Sequence, residues 1–309
     1  MSVRRPWLRR VARIGFYLFL AAVAVLLVRA ARAVDWAQVG AAIAGYDART
    51  LALVLLLTAT SYLVYGGYDL AARRYAQHTL PVRRVLPIAF TSYAFALNVG
   101  ALVGGAGFRL RLYSRAGLGL GTVTRIIGFS VASNWLGYVL LAGALFASGL
   151  LQPPPTLKLG QAALQAVGVV MLAAVPAYLV TCHVAHGRVF HFGRHHFRLP
   201  SPGLAVVQFA LAAGNWALMG TILWLLLPSL PWPLVLATLL LSAVATALAH
   251  IPAGVGVMEA VFLGVLGTMA PQPEVLAALL VYRACYYLLP LLIAAALYAS
   301  LEWRQRHGN

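Results

Sequence analysis

Acidic residues are scarce in this chain: six Asp and Glu stand against 23 Lys and Arg in 309 residues, and only 9% of positions carry a charge. Soluble domains carry roughly a quarter charged residues, so an ordinary soluble body is excluded. So few carboxylates also give no secure basis for paired-carboxylate catalysis. Lysine is almost missing, since every basic residue except Lys158 is arginine. The two cysteines, Cys182 and Cys285, have no CxxC partner. They read as small buried side chains rather than a disulfide framework. P-loop, dinucleotide, nucleophile-elbow and zincin motifs are absent. No polar stretch is long enough for a separate cytosolic catalytic module, and no cofactor is implied.

What fills the chain is hydrocarbon, with 62% of residues apolar and a mean hydropathy of +0.86. The apolar runs far exceed the ~10-residue strands of a membrane barrel, so the expected class is an all-α, polytopic helical membrane protein. A net charge of +17 would suggest nucleic acid in a soluble protein. Here it marks cytoplasmic loops and contacts with anionic lipid, and no nucleic-acid partner is expected.

The first span runs over about 14–34 behind five arginines, which puts the N-terminus in the cytoplasm. Ala31-Arg32-Ala33 resembles a signal-peptide cleavage site. We read the segment as a retained signal anchor, because the repeat described below needs it. Residues 35–50 are weakly amphipathic and expected at the outer interface. A second span, 51–71, ends at Arg73, Arg74, Arg83 and Arg84, a cytoplasmic loop. If 86–105 simply crossed, Arg109, Arg111, Arg115 and Arg125 would face outward against the charge rule. A re-entrant hairpin that breaks at Gly100–Gly107 resolves the conflict. Further spans are expected at 123–150, 161–182 and 203–227, with a basic cytoplasmic loop at 182–202. A second break, HIPAGVGVME, interrupts 234–270, and a last span at 275–299 returns to a basic cytoplasmic tail.

The expected architecture is therefore about six full spans plus two re-entrant hairpins in a single membrane domain, 1–309. Each half crosses an odd number of times, so 14–150 and 161–300 form an inverted-topology repeat. Gly105-x-Gly107 aligns with Gly254-x-Gly256 at the corresponding breaks.

A broken helix bares backbone N–H groups that attract anions. Arg109 and Arg111 follow the first break and can grip a phosphate with a planar fork; Arg109 is the first choice. Glu259 follows the second break. It is either functional, as intramembrane carboxylates generally are, or a helix-start residue favoured by the macrodipole. Arg283 either snorkels to the interface, pairs with Glu259, or reaches a lipid phosphate. His250 reads as a packing residue. His183, His186, His191, His195 and His196 lack acidic or cysteine companions at ligand spacing, so no metal site is expected. Asn98, Asn134 and Asn215 read as interhelical hydrogen-bond donors, and Tyr and Trp near span ends as interfacial anchors.

GGAGFRLRLYSRAGL (104–118), HIPAGVGVMEAVFL (250–263) and YRACYYLLP (282–290), in that order, resemble the lysylphosphatidylglycerol synthase transmembrane-region family. These are flippase-like membrane proteins, also called the YbhN-type group. The family's second motif reads P-G-G-x-G-x-x-E. This chain has Pro252-Ala253-Gly254-Val255-Gly256-Val257-Met258-Glu259, with alanine for the first glycine, a change expected to stiffen the turn. The resemblance implies a bacterial inner-membrane protein that handles phospholipid, with Arg109, Glu259 and Arg283 at the site. In multi-domain members this region flips aminoacylated phosphatidylglycerol made by an attached cytosolic domain; that domain is absent here, so lysyl transfer is not implied. The leading expectation is a lipid translocase that binds an anionic head group between the hairpins. The alternatives are a non-transporting scaffold beside a lipid-synthesis enzyme, and an embedded lipid transferase.

Overall fold

A computed structural model describes residues 35–151, 160–185, 188–192, 195–249 and 251–307. The first span, 14–34, most of the proline-rich loop after it in the first half, His186 and His250 lie outside these residues. The described chain is helical apart from one short β-ribbon. Asp35 caps α1 (Trp36–Ala44), and Asp47 caps α2 (Ala48–Ala76) through a 2.8 Å bond from the Thr50 N–H. α3 (Val82–Val99), a π-turn (Ala101–Gly107) and α4 (Phe108–Arg115) follow. Then come α5 (Leu120–Ala147), α6 (Gln161–Val184) and the ribbon β1 (Val189–Phe192) with β2 (His195–Arg198). α7 (Pro202–Leu226) leads to α8 (Trp232–Ala249), a 3₁₀ turn (Pro252–Gly254) and α9 (Val257–Leu266). The chain closes with α10 (Gln272–Tyr282), a second π-turn (Arg283–Leu288) and α11 (Leu289–His307).

Among the described residues six helical runs are long and apolar enough to cross a membrane: α2, α5, α6, α7, α8 and the continuous run Gln272–Ser300. The protein is an integral membrane protein with an all-α fold. This set of six is not the set expected: α8, expected as a hairpin arm, is itself of spanning length, while 14–34 lies outside the described residues. α6 shows why lipid is the solvent. Val167, Val169, Val170, Val180 and Val184 are all exposed along it, which is unremarkable only against hydrocarbon.

Both breaks turn the chain back on itself. Gly100 takes φ +101, which only glycine adopts freely. Gly104 then packs directly on the preceding arm, where a Cβ would collide with the Phe95 carbonyl, and Phe95 stacks on Phe108 at 4.0 Å. Within the expected Gly100–Gly107 break, the turn is made at Gly100 and Gly104. Val85 at the start of α3 and Leu112 and Tyr113 near the end of α4 share one buried cluster with Ala76 and Val123. The first hairpin thus starts and finishes at the C-terminal end of α2. That end is basic, and Tyr75 there donates to the Arg198 carbonyl of the ribbon at 2.7 Å.

The second hairpin belongs to the other end. Tyr46, just ahead of α2, donates to the Leu226 carbonyl at the end of α7 at 2.8 Å. Burial, reinforced by the nearby Glu274 carboxylate, pushes the Tyr46 phenol up to about 12. Five residues separate α7 from α8, and Glu274 lies in the first turn of α10, so this hairpin begins and ends near Tyr46. At 1.5 Å per residue the 29 residues of α2 separate the two ends by about 43 Å. The hairpins enter from opposite ends of the bundle.

In cells expressing variants without Cys182 and Cys285, a membrane-impermeant thiol reagent should label Pro271→Cys from outside and Arg115→Cys only after permeabilisation. Equal labelling of both in intact cells would contradict opposed hairpins.

Candidate functional site

Two guanidinium–carboxylate pairs anchor the two hairpins. Arg109, in the first turn of α4, donates to Asp69 of α2 through Nη2 at 2.9 Å and through Nε at 3.2 Å. Tyr113 adds a hydroxyl to the same carboxylate at 2.8 Å, and Ser130 of α5 another at 3.2 Å. The side chains are 4% and 0% exposed. Asp69 therefore ties α2, α4 and α5 together with every charge accounted for. Arg109, expected to face a lipid phosphate, is instead buried in a structural clamp. His78, at the mouth of this hairpin, has its ring 6.0 Å from that of Tyr113. Burial, with the Arg73 cation, pushes its imidazole below the usual range, against the opposing pull of Asp69.

The second pair is more open. Arg283 Nε meets Glu259 Oε1 at 2.7 Å and Nη2 meets Oε2 at 3.1 Å, with side chains 13% and 24% exposed. The same guanidinium donates to the Ala253 and Gly254 carbonyls at 3.0 and 3.2 Å. Glu259 also accepts the Gly256 N–H at 2.8 Å, capping α9. Glu259 thus caps the helix start and pairs with Arg283, which pairs rather than snorkels. Arg283 follows the 11 residues of α10, so it lies about 16 Å in from that helix's start. That is near the middle of a ~30 Å hydrocarbon layer.

The end of α3 packs against the 3₁₀ turn at the tip of the second hairpin, and Asn98 there donates to the Tyr287 carbonyl, in the π-turn of the span that follows, at 3.2 Å. Between the arginines runs a file of tyrosines. Arg109 lies 5.5 Å from the Tyr65 ring, which stacks on Tyr93 at 3.5 Å. The Tyr93 and Tyr286 hydroxyls are 2.9 Å apart, and Arg283 lies 5.5 Å from the Tyr287 ring. Ser61 joins Tyr286 at 2.7 Å and donates to Asn215 at 2.6 Å. Tyr62, Tyr65, Tyr68, Tyr93, Tyr113, Tyr282 and Tyr286 are all buried. These tyrosines are core residues, and several, such as Tyr62 and Tyr286, lie within spans rather than at the span ends where anchors are expected. Their rings fill volume while most of their hydroxyls find partners.

Of the expected site residues, the fold brings together Gly254, Gly256, Glu259 and Arg283. Gly254 and Gly256 take φ +58 and +82. Gly105 packs against Ala96 beside Arg109, within the other clamp. Gly107, the last residue of the first π-turn, has helical φ/ψ, and a Cβ there would make only an ordinary contact with the Leu102 carbonyl. Arg111 is exposed on the far face of α4, 5.4 Å from the Tyr298 ring. Asn98 and Asn215 bridge helices as expected; at Asn134 it is the backbone carbonyl that does so, accepting from Trp216 at 3.2 Å. The residues not anticipated are Asp69, Tyr113 and Ser130. The available signal was an aspartate within the apolar run SYLVYGGYDLAA. Among the described residues no three potential metal ligands gather.

Helices broken from opposite ends, meeting tip to tip around a charged pair, define a class: an integral membrane protein with paired broken-helix hairpins. The chain belongs to the lysylphosphatidylglycerol synthase transmembrane-region family, whose model matches residues 14–294. It is 42% identical over 304 residues to the inner membrane protein YbhN of Escherichia coli, covering 98% of this chain and 96% of that one. It is 32% identical over 276 residues to an uncharacterized protein of Synechocystis, covering 87% and 85%.

Removing one partner of a buried pair strands the other charge. Asp69→Ala and Arg109→Ala should each cost about 3–5 kcal/mol in thermal unfolding of the purified protein. The double variant should cost clearly less than their sum; strict additivity would contradict the clamp. Ala253 sits at φ +56, in the left-handed region that favours glycine. Ala253→Gly should stabilise the protein by about 0.5–1 kcal/mol, relief of left-handed strain exceeding the added chain entropy. A lower unfolding midpoint would contradict that strain.

Proposed function

We propose that this protein is a phospholipid translocase of the bacterial inner membrane, with the head group handled at the Glu259–Arg283 pair. The observation that carries the reading is a part-exposed ion pair at mid-depth where two broken helices meet. Val99, Leu102, Val103 and Val255 are exposed around these breaks, an apolar setting suited to acyl chains. A guanidinium fork that holds a carboxylate also holds a phosphate. A lipid phosphate would replace Glu259 on Arg283 while the tails stay in hydrocarbon. Glu259 would keep its cap on Gly256 or balance a cationic head-group moiety. The inner-membrane location follows the E. coli relative's name. By the positive-inside rule we read the basic end as cytoplasmic, and the termini with it. We read the two halves, 14–150 and 161–300, as an inverted repeat, and the activity as movement rather than catalysis.

A second reading is a non-transporting scaffold for a lipid-synthesis enzyme. One observation favours it: closely stacked tyrosines, not open space, lie between the two arginines.

In vesicles, the reconstituted protein should speed transbilayer movement of fluorescent phosphatidylglycerol. Arg283→Gln should slow it about tenfold or more, the effect of losing a charge-assisted fork contact worth roughly 1.5–3 kcal/mol. Arg111→Gln should leave it unchanged. A folded Arg283→Gln variant with full activity would refute the site. No acceleration by the unaltered protein would put the scaffold reading ahead.

A further inference from the structure

A groove of about 250 Å³ opens between α2 and α7 at the basic end of the bundle. Its wall is apolar: Gly67 and Leu70 from α2, Leu204 and Val207 from α7. Its mouth carries Arg73 and Arg74. Arg73 spends Nε on the Leu80 carbonyl at 2.8 Å, which fixes the side chain at the rim and leaves its terminal nitrogens for another acceptor. Among the described residues no carboxylate pairs with either arginine. In this they differ from Arg109 and Arg283, which are matched with acids.

We infer that this groove binds an anionic glycerophospholipid of the leaflet at the basic end. Its phosphate is held by Arg73 and Arg74, and one acyl chain lies along Leu70, Leu204 and Val207. Two features select a lipid over a soluble anion. The groove is smaller than the ~300–1,000 Å³ of sites that enclose whole small molecules, so most of the occupant lies outside it, as a lipid would in its bilayer. The arginines also stand at one end of an apolar trough, which matches an amphiphile with charge at one end. Arg73 lies within the last turn of α2, at the level where phosphates of that leaflet sit. The site is separate from Glu259–Arg283 and stands whether or not the protein moves lipid across the bilayer.

Native mass spectrometry of the full chain, titrated with phosphatidylglycerol, tests this. Arg73→Gln and Arg74→Gln should each weaken retention about fivefold, the share of one arginine beside an anionic surface. Val207→Trp, which fills the groove and leaves the charge alone, should weaken it as well. Arg49→Gln at the opposite end of α2 should not. Unchanged retention in Arg73→Gln and Arg74→Gln, or an equal loss in Arg49→Gln, would overturn the site. Full displacement of the lipid by glycerol phosphate would reduce it to a simple anion site and overturn the acyl-chain assignment.

Discussion

A helix that breaks inside hydrocarbon leaves N–H and C=O groups where no water can take them. This chain breaks twice, and each time a guanidinium–carboxylate pair stands beside the break. At the second break the solution is direct. Arg283 donates to the carbonyls of Ala253 and Gly254, and Glu259 receives the Gly256 N–H. The two side chains then neutralise each other at 2.7 Å. Neither charge is tolerable alone at that depth, and neither polar backbone segment is tolerable without them. At the first break the π-turn satisfies more of its own backbone, with Gly104 and Gly105 N–H both turned to the Gly100 carbonyl. There the Asp69–Arg109 pair acts one step away, pinning the returning arm α4 to α2 and α5.

The same economy explains the tyrosine-rich core. Without a hydrophobic driving force between helices in lipid, packing and hydrogen bonds must hold them. Rings stacked at 3.5 to 5.2 Å supply the first, and the Ser61–Tyr286–Tyr93 hydroxyls the second. That file also puts the two clamps in physical contact through successive side chains. The two pairs differ in exposure: the Asp69–Arg109 pair is sealed and holds a hairpin in place, and the Glu259–Arg283 pair is part-exposed and is the one at which we propose a head group binds.

Much of this was legible in the residues. Spans followed from apolar runs, and the hairpins from arginines that would otherwise face the wrong way. Glu259 and Arg283 stood out as charges in hydrocarbon. Asp69 was hidden because Arg73 and Arg74 follow within about a turn, which makes it look like the wet end of a span. Arg109 and Arg111 were hard to rank because a helix puts them on different faces. Only Asp69 and Tyr113, the latter one turn beyond Arg109, show which face turns inward. Four glycines lie between 100 and 107, and composition cannot say which of them takes positive φ. Tyrosines carry both an apolar ring and a hydroxyl, so pattern alone does not separate an interfacial belt from a bonded core. The ribbon at 189–198 is too short and too basic to announce itself as strands.

Hydrogen–deuterium exchange along the backbone, in Asp69→Asn and Glu259→Gln against the unaltered protein, tests the clamp account most directly. Each variant should speed exchange at its own break, Asp69→Asn across 100–115 and Glu259→Gln across 253–257, and leave the other break within about its original rate. Unchanged exchange at both breaks would contradict the account, and so would a uniform rise over the whole bundle.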